Sequence, residues 1–247
     1  MPNPIPPGSA GSCAIVELRQ YTLHPGRRDE LIELFDREFV ETQEATGLTV
    51  IGQFRDLDRP HYFVWLRGFP DMATRAASLQ AFYTSAAWQQ HRNAANATMI
   101  DSDDVLMLEP ATRNTRNAPF PDRGPKSAAA RRHLIVVTLY YPRDAAMAAF
   151  PDFFAESMRT PLMAAGAAIL GEYVTSKEPN NFPRLPIREG ERAFLTLARF
   201  ESARDHDAFQ SKLAEDPRWR KAASELEARL ERPIQALRLA PTSRSRL

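Results

Sequence analysis

The sequence of 247 residues predicts an α+β fold built from two similar modules, and three observations support this prediction. Residues 69–110 can be laid over residues 200–241 without a gap, at a constant offset of 131 residues. Upstream the offset is smaller by about a dozen residues, since Val16 then falls on Val136. Apolar patterns typical of strands also alternate with patterns typical of amphipathic helices. Two copies are too few for a solenoid, so the repeat indicates two modules.

The first module opens with a strand predicted over residues 14–23, where apolar and polar side chains alternate. The segment His24-Pro-Gly-Arg then turns the chain into a helix. Its apolar stripe follows spacings of three and four residues and consists of Leu31, Leu34, Phe35 and Phe39. Gly47 suits the end of this helix because glycine tolerates a positive φ.

Two short strands, a second helix and a last strand complete the module. The strands are predicted over residues 48–54 and 62–69, and the last one over residues 104–109. Asp71 can cap the second helix, whose buried side is predicted to carry Met72, Leu79, Phe82 and Tyr83. The order β-α-β-β-α-β is the ferredoxin-like arrangement, which leaves one sheet face bare. We expect the second copy to cover that face, so that two sheets close into one barrel-like core.

The domain organisation follows from the repeat and from the composition of the segments around it. Residues 1–13 predict a disordered tail, rich in proline, glycine and serine. The two modules are predicted over residues 14–112 and 132–242, joined by a polar linker over residues 113–131. The second module carries an additional segment between two strands, residues 177–191, which we call the insertion.

Composition and charge exclude several classes of function. A net charge of +1 gives no reason to expect a nucleic acid or an anionic membrane as partner. Apolar runs stay well short of the roughly 20 residues that span a bilayer. The single cysteine, Cys13, cannot form an internal disulfide, and the first residues lack the pattern of a signal peptide. A cytoplasmic location is therefore expected, with no metal or cofactor motif in the sequence.

The start of the first module carries a recognisable motif. The segment Val16-Glu-Leu-Arg-Gln-Tyr-Thr-Leu-His-Pro-Gly26 resembles the opening of a NIPSNAP domain, which usually begins Glu-Leu-Arg-x-Tyr-x-Leu-x-Pro-Gly. Residues 69–75 and Trp88 resemble the second-helix region of that family, and residues 200–205 and 216–219 repeat it. The chain thus resembles two tandem NIPSNAP-like domains.

This resemblance implies the dimeric α/β-barrel fold. That superfamily also houses cofactor-independent quinol monooxygenases, haem-degrading enzymes, chlorite dismutase-like proteins and aldoxime dehydratases, so the resemblance implies a fold more than a reaction. The NIPSNAP family commonly has a His-Leu-Trp stretch on its third strand, where this chain has Trp65, Leu66 and Arg67. A role resting on that histidine is therefore not carried over.

The first strand supplies the leading site candidates. Glu17, Arg19 and Tyr21 share one of its faces, and we expect this face to point into the barrel. Glu17 and Arg19, about 7 Å apart along the strand, can pair directly or through a bridging ligand. With the smaller offset, their second-half counterparts would be the less polar Val137, Leu139 and Tyr141. Two interpretations stay open: a ligand site, or a salt bridge that fixes how the modules pair.

Further candidates follow from neighbouring strands and helices. Trp65 and Arg67 share one face of the third strand, where Arg67 could bind an oxyanion. Phe54 and its counterpart Tyr173 could line the same cavity, although both also suit plain packing. His91 on the second helix could act as a base, although a lone helix histidine is usually a surface residue.

The insertion is the other candidate. Three prolines restrict its backbone, and its apolar side chains favour an ordered segment. We expect it to fold over one mouth of the barrel, with Asn181, Arg184 and Arg188 near the entrance. A dimerisation arm is the alternative.

Together these features predict a small-molecule-binding barrel. Its activity could be a metal-free, cofactor-independent oxygenation or isomerisation/cyclisation of an aromatic or polyketide-like anion. Arg19 and Arg67 would stabilise the oxyanion, and Glu17 or His91 would move the proton. The alternative is a non-enzymatic binding or assembly protein in which the polar residues of the barrel are structural. A homo-oligomer is compatible with either.

Overall fold

The computed structural model describes residues 13–111, 120–121, 123 and 132–247, and these form an α+β fold. The expected tail (1–13), apart from Cys13, lies outside the described residues, as does most of the expected linker (113–131).

The first half contains four strands and two helical segments, in the order that the sequence predicts. A π-helical turn divides the first helical segment, and Ser85 divides the second one by capping a new helix. The elements are β1 (Ile15–Leu23), α1 (Arg28–Leu34), the π-helical turn (Phe35–Phe39), α2 (Val40–Glu44), β2 (Thr49–Asp56), β3 (Tyr62–Phe69), α3 (Met72–Thr84), α4 (Ala86–Asn96) and β4 (Met99–Pro110).

Two of the predicted helix boundaries are confirmed by backbone geometry. Gly47 follows α2 with a φ of 96°, a conformation that favours glycine. The side chain of Asp71 accepts a hydrogen bond of 2.6 Å from the backbone N–H of Thr74 and so caps α3. Strand β4 begins five residues before its predicted start, because Asp101, Ser102 and Asp103 are consecutive polar residues and so lack the alternation of a strand.

The second half repeats the order of elements. It comprises β5 (Leu134–Pro142), α5 (Asp144–Met147), α6 (Phe150–Phe153), a second π-helical turn (Phe154–Met158), α7 (Arg159–Ala165), β6 (Ala168–Thr175), β7 (Phe194–Phe200), α8 (Ala203–Glu215), α9 (Pro217–Arg229) and β8 (Leu230–Pro241). None of the helices in the described part of the chain combines the length and the apolar character that crossing a bilayer requires.

The eight strands close into one antiparallel barrel, in the order β1-β3-β2-β8-β5-β7-β6-β4. Strands of the first half are neighbours in the order β4-β1-β3-β2, and those of the second half in the order β8-β5-β7-β6. Two short seams join the halves. Phe54 lies opposite Pro241 where β2 meets β8, and Leu108 lies opposite Thr175 where β4 meets β6.

Apolar side chains from both halves fill the interior of the barrel. Val16 and Leu18 of β1 belong to this interior, together with Phe54 and Tyr173, and all are almost completely buried. The helices pack on the outer faces of the sheet, where two further apolar clusters form. Each strand near the site is therefore buried on both faces.

The pairing of strands corrects the alignment of the two halves in β1. Glu17 lies opposite Arg67, and Val136 lies opposite Ala198, the repeat counterpart of Arg67. The structural counterpart of Glu17 is therefore Val136, and the sequence-based choice of Val137 is wrong by one residue. Such a slip exchanges the two faces of a strand.

Candidate functional site

The polar face of β1 lies beneath the helices and outside the barrel interior. Tyr21 packs in the apolar cluster between sheet and helices, whereas Val16 and Leu18 belong to the barrel interior. Glu17 and Arg19 share the face of Tyr21, because successive strand residues point to opposite sides. The expectation that this face points into the barrel is therefore wrong, and the candidate site is the helix–sheet layer of the first half.

Glu17 is the centre of a buried ionic cluster. Its Oε2 atom accepts hydrogen bonds of 2.7 Å from Arg19 Nη1 and 2.8 Å from Arg67 Nε. Its Oε1 atom accepts one of 2.7 Å from Arg75 Nε. Arg67 comes from β3 and Arg75 from α3, so the carboxylate holds two strands and a helix together. All four side chains are at most 1% exposed.

The cluster carries an excess of positive charge, since three guanidinium groups share one carboxylate. The further acceptors around them are neutral: Arg19 Nε donates to the Tyr21 hydroxyl at 3.1 Å, and Arg75 Nη1 donates to amide oxygens of the insertion. Burying an uncompensated charge is costly. An excess of buried cations therefore indicates that this layer is suited to an added anion.

Aromatic rings surround the arginines. The guanidinium carbon of Arg19 lies 5.5 Å from the ring centroid of Tyr21 and 5.6 Å from that of Trp65. The corresponding carbon of Arg67 lies 5.2 Å from the centroid of Trp65. At these distances, cation–π contacts with the rings stabilise the desolvated guanidinium groups.

The electrostatics follow from burial and from these partners. Burial by itself would raise the pKa of the Glu17 carboxyl, but Arg67, Arg19 and Arg75 outweigh it and hold that pKa below its usual value. Glu17 is therefore a weak proton acceptor, which disfavours its predicted role as a base. Burial raises the pKa of Tyr83, although Arg67 opposes the shift, so this hydroxyl is protonated and neutral at pH 7.

Because the pKa of Glu17 is lowered, the free energy of unfolding depends on pH in the acidic range. Because the folded state holds this carboxylate ionised, its contribution is fully present above the ordinary pKa of 4.5 and declines as the pH falls below that value. We expect the difference in free energy of unfolding between wild type and Glu17→Gln to be smaller at pH 3 than at pH 7. Urea unfolding at the two pH values measures it, and an equal difference would contradict the assignment.

A small cavity adjoins the cluster. Its volume is about 30 Å³, and its lining includes Tyr21, Trp65, Tyr83, Gln43 and Trp88. The Trp65 Nε1 atom is buried and has no hydrogen-bond partner among the described residues, as is also true of Arg75 Nη2. Buried donors of this kind are normally satisfied. A cavity of this size holds a water molecule or an atom or two of a ligand.

The insertion covers the cluster from the second half of the chain. Arg75 Nη1 donates to Asn181 Oδ1 at 2.7 Å and to Asn180 Oδ1 at 3.1 Å. Phe182 is 7% exposed and its ring lies 6.0 Å from that of Tyr83, at an angle of 25°. The insertion therefore lies against α3, and the expected position over a mouth of the barrel is wrong.

The remaining predicted residues are not brought to the cluster. Phe54 and Tyr173 lie in the barrel interior, on the opposite side of the sheet from Arg19. His91 packs against Phe39, with its Nε2 atom 3.6 Å from Glu38. Arg184 is exposed.

Arg188 forms its contacts away from the arginine cluster. It pairs with Asp104 of β4 at 3.1 Å and with Glu191, which fixes the end of the insertion. Its backbone N–H also donates to Val105 at 2.9 Å.

Sequence reasoning missed several members of the site, among them Arg75 and Asn180. Arg75 lies three residues after Met72 and four before Leu79, so it interrupts the apolar stripe of α3. A charged residue on a buried helix face was a usable signal. No comparable pattern marks Asn180, because its position depends on how the insertion folds.

The second half has no equivalent cluster at the matching positions. The register places Val136, Thr138 and Ala198 where the first half has Glu17, Arg19 and Arg67. Across residues 13–111, 120–121, 123 and 132–247, no three histidine, cysteine or acidic side chains lie together as metal ligands would. The polar site belongs to one half only.

Comparisons with known proteins agree with this fold. Residues 16–113 match the sequence model of the NIPSNAP family. Among curated proteins, none matches the sequence significantly.

Solved structures resemble the whole chain at low sequence identity. A candidate monooxygenase from Lactobacillus acidophilus NCFM shares 13% identity with a TM-score of 0.58, over 92% of this chain and 93% of the other. One from Fusobacterium nucleatum subsp. nucleatum shares 7% identity with a TM-score of 0.60, over 94% and 93%. An anthrone oxidase-like protein shares 13% identity with a TM-score of 0.57, over 97% and 98%. These similarities show a common fold.

Proposed function

We propose that the protein binds a small aromatic anion between the sheet and the helices of its first half, the part of the chain in which residues 16–113 match the NIPSNAP family model. The chain would consist of two tandem NIPSNAP-like modules, over residues 14–112 and 132–242, that form the two halves of a dimeric α/β-barrel. Two seams close the barrel within one chain, so a second chain is not required for it. Homo-oligomers would then use outer surfaces.

The buried excess of cations carries the proposal. Arg19, Arg67 and Arg75 share the single carboxylate of Glu17 at full burial, next to a cavity lined by aromatic rings. Guanidinium groups bind carboxylates, phenolates and enolates well, and aromatic walls suit a planar ring. The ligand class that follows is a small arene carrying an anionic oxygen.

In an enzymatic version of this proposal, the arginines would stabilise negative charge that develops on an enolate or phenolate oxygen. Glu17 would orient the three arginines, because its low pKa makes it a poor base. Reactions of this type include cofactor-independent oxygenation and isomerisation or cyclisation. The names of two similar structures, candidate monooxygenase and anthrone oxidase-like protein, are consistent with such substrates.

The alternative is a binding or assembly protein in which the cluster is purely structural. One observation favours it: Glu17 already joins β1, β3 and α3 through hydrogen bonds to its three arginines. The two functions differ in what the excess cations do, so removal of one cation distinguishes them.

Arg19→Met is the variant that tests the proposed function. Methionine keeps most of the side-chain volume but removes one of three cations, so we expect the melting temperature to change by fewer than about 5 °C. We expect the Kd for 1-hydroxy-2-naphthoate, a fluorescent arene with anionic oxygen, to rise at least about tenfold, or 1.4 kcal/mol. Fluorescence titration measures the Kd and differential scanning calorimetry the melting temperature.

Arg27→Met is the matched control, because Arg27 is exposed and pairs with Glu30 on the surface. It should leave the Kd for the naphthoate unchanged. A large fall in the melting temperature of Arg19→Met, or no binding of the naphthoate by the wild-type protein, would favour the structural alternative.

A further inference from the structure

The insertion occupies the candidate site in a way that imitates a ligand. The side-chain oxygens of Asn180 and Asn181 both accept hydrogen bonds from Arg75 Nη1, a guanidinium nitrogen that an anionic oxygen of a ligand could also use. The ring of the next residue, Phe182, is buried and lies nearly parallel to the ring of Tyr83. An oxygen acceptor and an aromatic ring thus stand side by side at the arginine cluster.

The backbone of the insertion fixes this arrangement. Asn180 Nδ2 donates to the carbonyl of Leu185 at 2.9 Å, and Phe182 N–H donates to Asn180 Oδ1 at 3.1 Å. Asn181 Nδ2 donates to the carbonyl of Met72, at the start of α3, at 2.6 Å. These bonds present the amide oxygens and the ring to Arg75 and Tyr83 together.

The imitation is incomplete in its charge. Amide oxygens are neutral, so the insertion satisfies the geometry of Arg75 but leaves the excess positive charge of the cluster in place. Arg75 Nη2 also stays without a hydrogen-bond partner among the described residues. An anionic oxygen would therefore bind Arg75 more strongly than the amides do.

The cavity is too small for an arene while the insertion is in this position. Its volume of about 30 Å³ is far below the 300–1,000 Å³ of ordinary ligand pockets. Tyr83 lines this cavity and also contacts Phe182. Withdrawal of Phe182 would therefore free the face of Tyr83 and connect the cavity with the space that the ring vacates.

We propose that the insertion is an internal competitor for the ligand, in which Asn180 and Asn181 stand for the anionic oxygens of the ligand and Phe182 for its ring. This inference rests on the proposed function and specifies its ligand: an arene with a carboxylate or an equivalent pair of oxygens next to the ring. Binding then requires the insertion to leave Arg75. The apparent Kd therefore equals the intrinsic Kd divided by the fraction of molecules in which the insertion is released, so a small fraction means weak apparent binding.

The test compares binding of 1-hydroxy-2-naphthoate to wild type and to the double variant Asn181→Ala, Phe182→Ala. The variant lacks the imitating ring and the nearer of the two amide oxygens, so we expect its Kd to be at least about tenfold lower than that of wild type. Arg184→Ala is the matched control, since Arg184 is an exposed residue of the same segment, and its Kd should equal that of wild type. A variant that binds no more tightly than wild type would overturn the inference.

Hydrogen exchange on the unaltered protein tests the same inference without a variant that might lose stability by truncation. The N–H of Arg188 donates to Val105 at 2.9 Å and reports the closed insertion. We expect the naphthoate to accelerate exchange at this amide and at those of residues 180–182, 184 and 185, because the ligand displaces the insertion. Slower exchange would show that the insertion closes over the ligand, and it would contradict the proposal that the insertion competes with the ligand.

The two proposals fail in different ways. If Arg19→Met weakens binding and the double variant gains nothing, only the competitor role of the insertion is overturned. If neither wild type nor the double variant binds the naphthoate, the proposed function fails and the inference falls with it.

Discussion

Glu17→Gln is expected to lower the free energy of unfolding by about 3–5 kcal/mol, the usual cost of removing one partner from a buried ion pair. Glutamine keeps the shape of the side chain and one acceptor oxygen. It leaves Arg19, Arg67 and Arg75 fully buried with no carboxylate bound to them. For a protein of this size the melting temperature should fall by roughly 10 °C, as calorimetry would show.

Glu30→Gln is the matched control for that change, because Glu30 forms an ion pair with Arg27 in which both side chains are substantially exposed. Its effect should stay within about 1 kcal/mol. Adding Arg67→Met to Glu17→Gln should restore part of the lost stability, since one uncompensated cation is removed. A loss below about 1 kcal/mol for Glu17→Gln would contradict this assignment and would mean that water solvates the three arginines or that a bound anion neutralises them.

Leu18→Asp is expected to be at least as damaging, with a loss of about 4 kcal/mol or more. Leu18 is 0% exposed and belongs to the cluster of apolar side chains in the interior of the barrel. An aspartate at this position would either be ionised in an apolar environment or be protonated with a raised pKa, and both states cost free energy of folding. Urea unfolding monitored by circular dichroism measures the loss.

Leu18→Met controls for the change of shape, because it conserves volume and should cost less than about 1.5 kcal/mol. This pair of variants tests which face of β1 is apolar. A Leu18→Asp protein close to wild type in stability would show that this face is accessible to water and would reverse the assignment of the two layers.

Much of the fold could be predicted from the sequence because its signals are local. The spacing of apolar residues, the caps at Asp71 and Gly47, and the internal repeat each act over a few residues or repeat as a unit. These signals predict the order of strands and helices and the closure of two sheets on each other. They also identify Glu17, Arg19 and Arg67 as unusual residues for buried strands.

The candidate site was predicted on the wrong side of the sheet for a definable reason. Strand alternation shows which residues share a face, but it shows which face is inside only when the other face meets water. Every residue of β1 except Thr22 is buried, so both faces of the strand are interior. The polarity of Glu17 and Arg19 therefore did not show which face points into the barrel. A shift of one residue in aligning the halves strengthened that error.

By itself the sequence determined the succession of strands and helices and the presence of charged residues within buried strands. The tertiary structure decided which layer receives those charges, since Arg75 reaches Glu17 from a helix 58 residues later and Asn181 reaches Arg75 from the other half of the chain. A buried ion is tolerated where its partners converge. That convergence depends on packing between distant segments, which no local pattern of residues encodes.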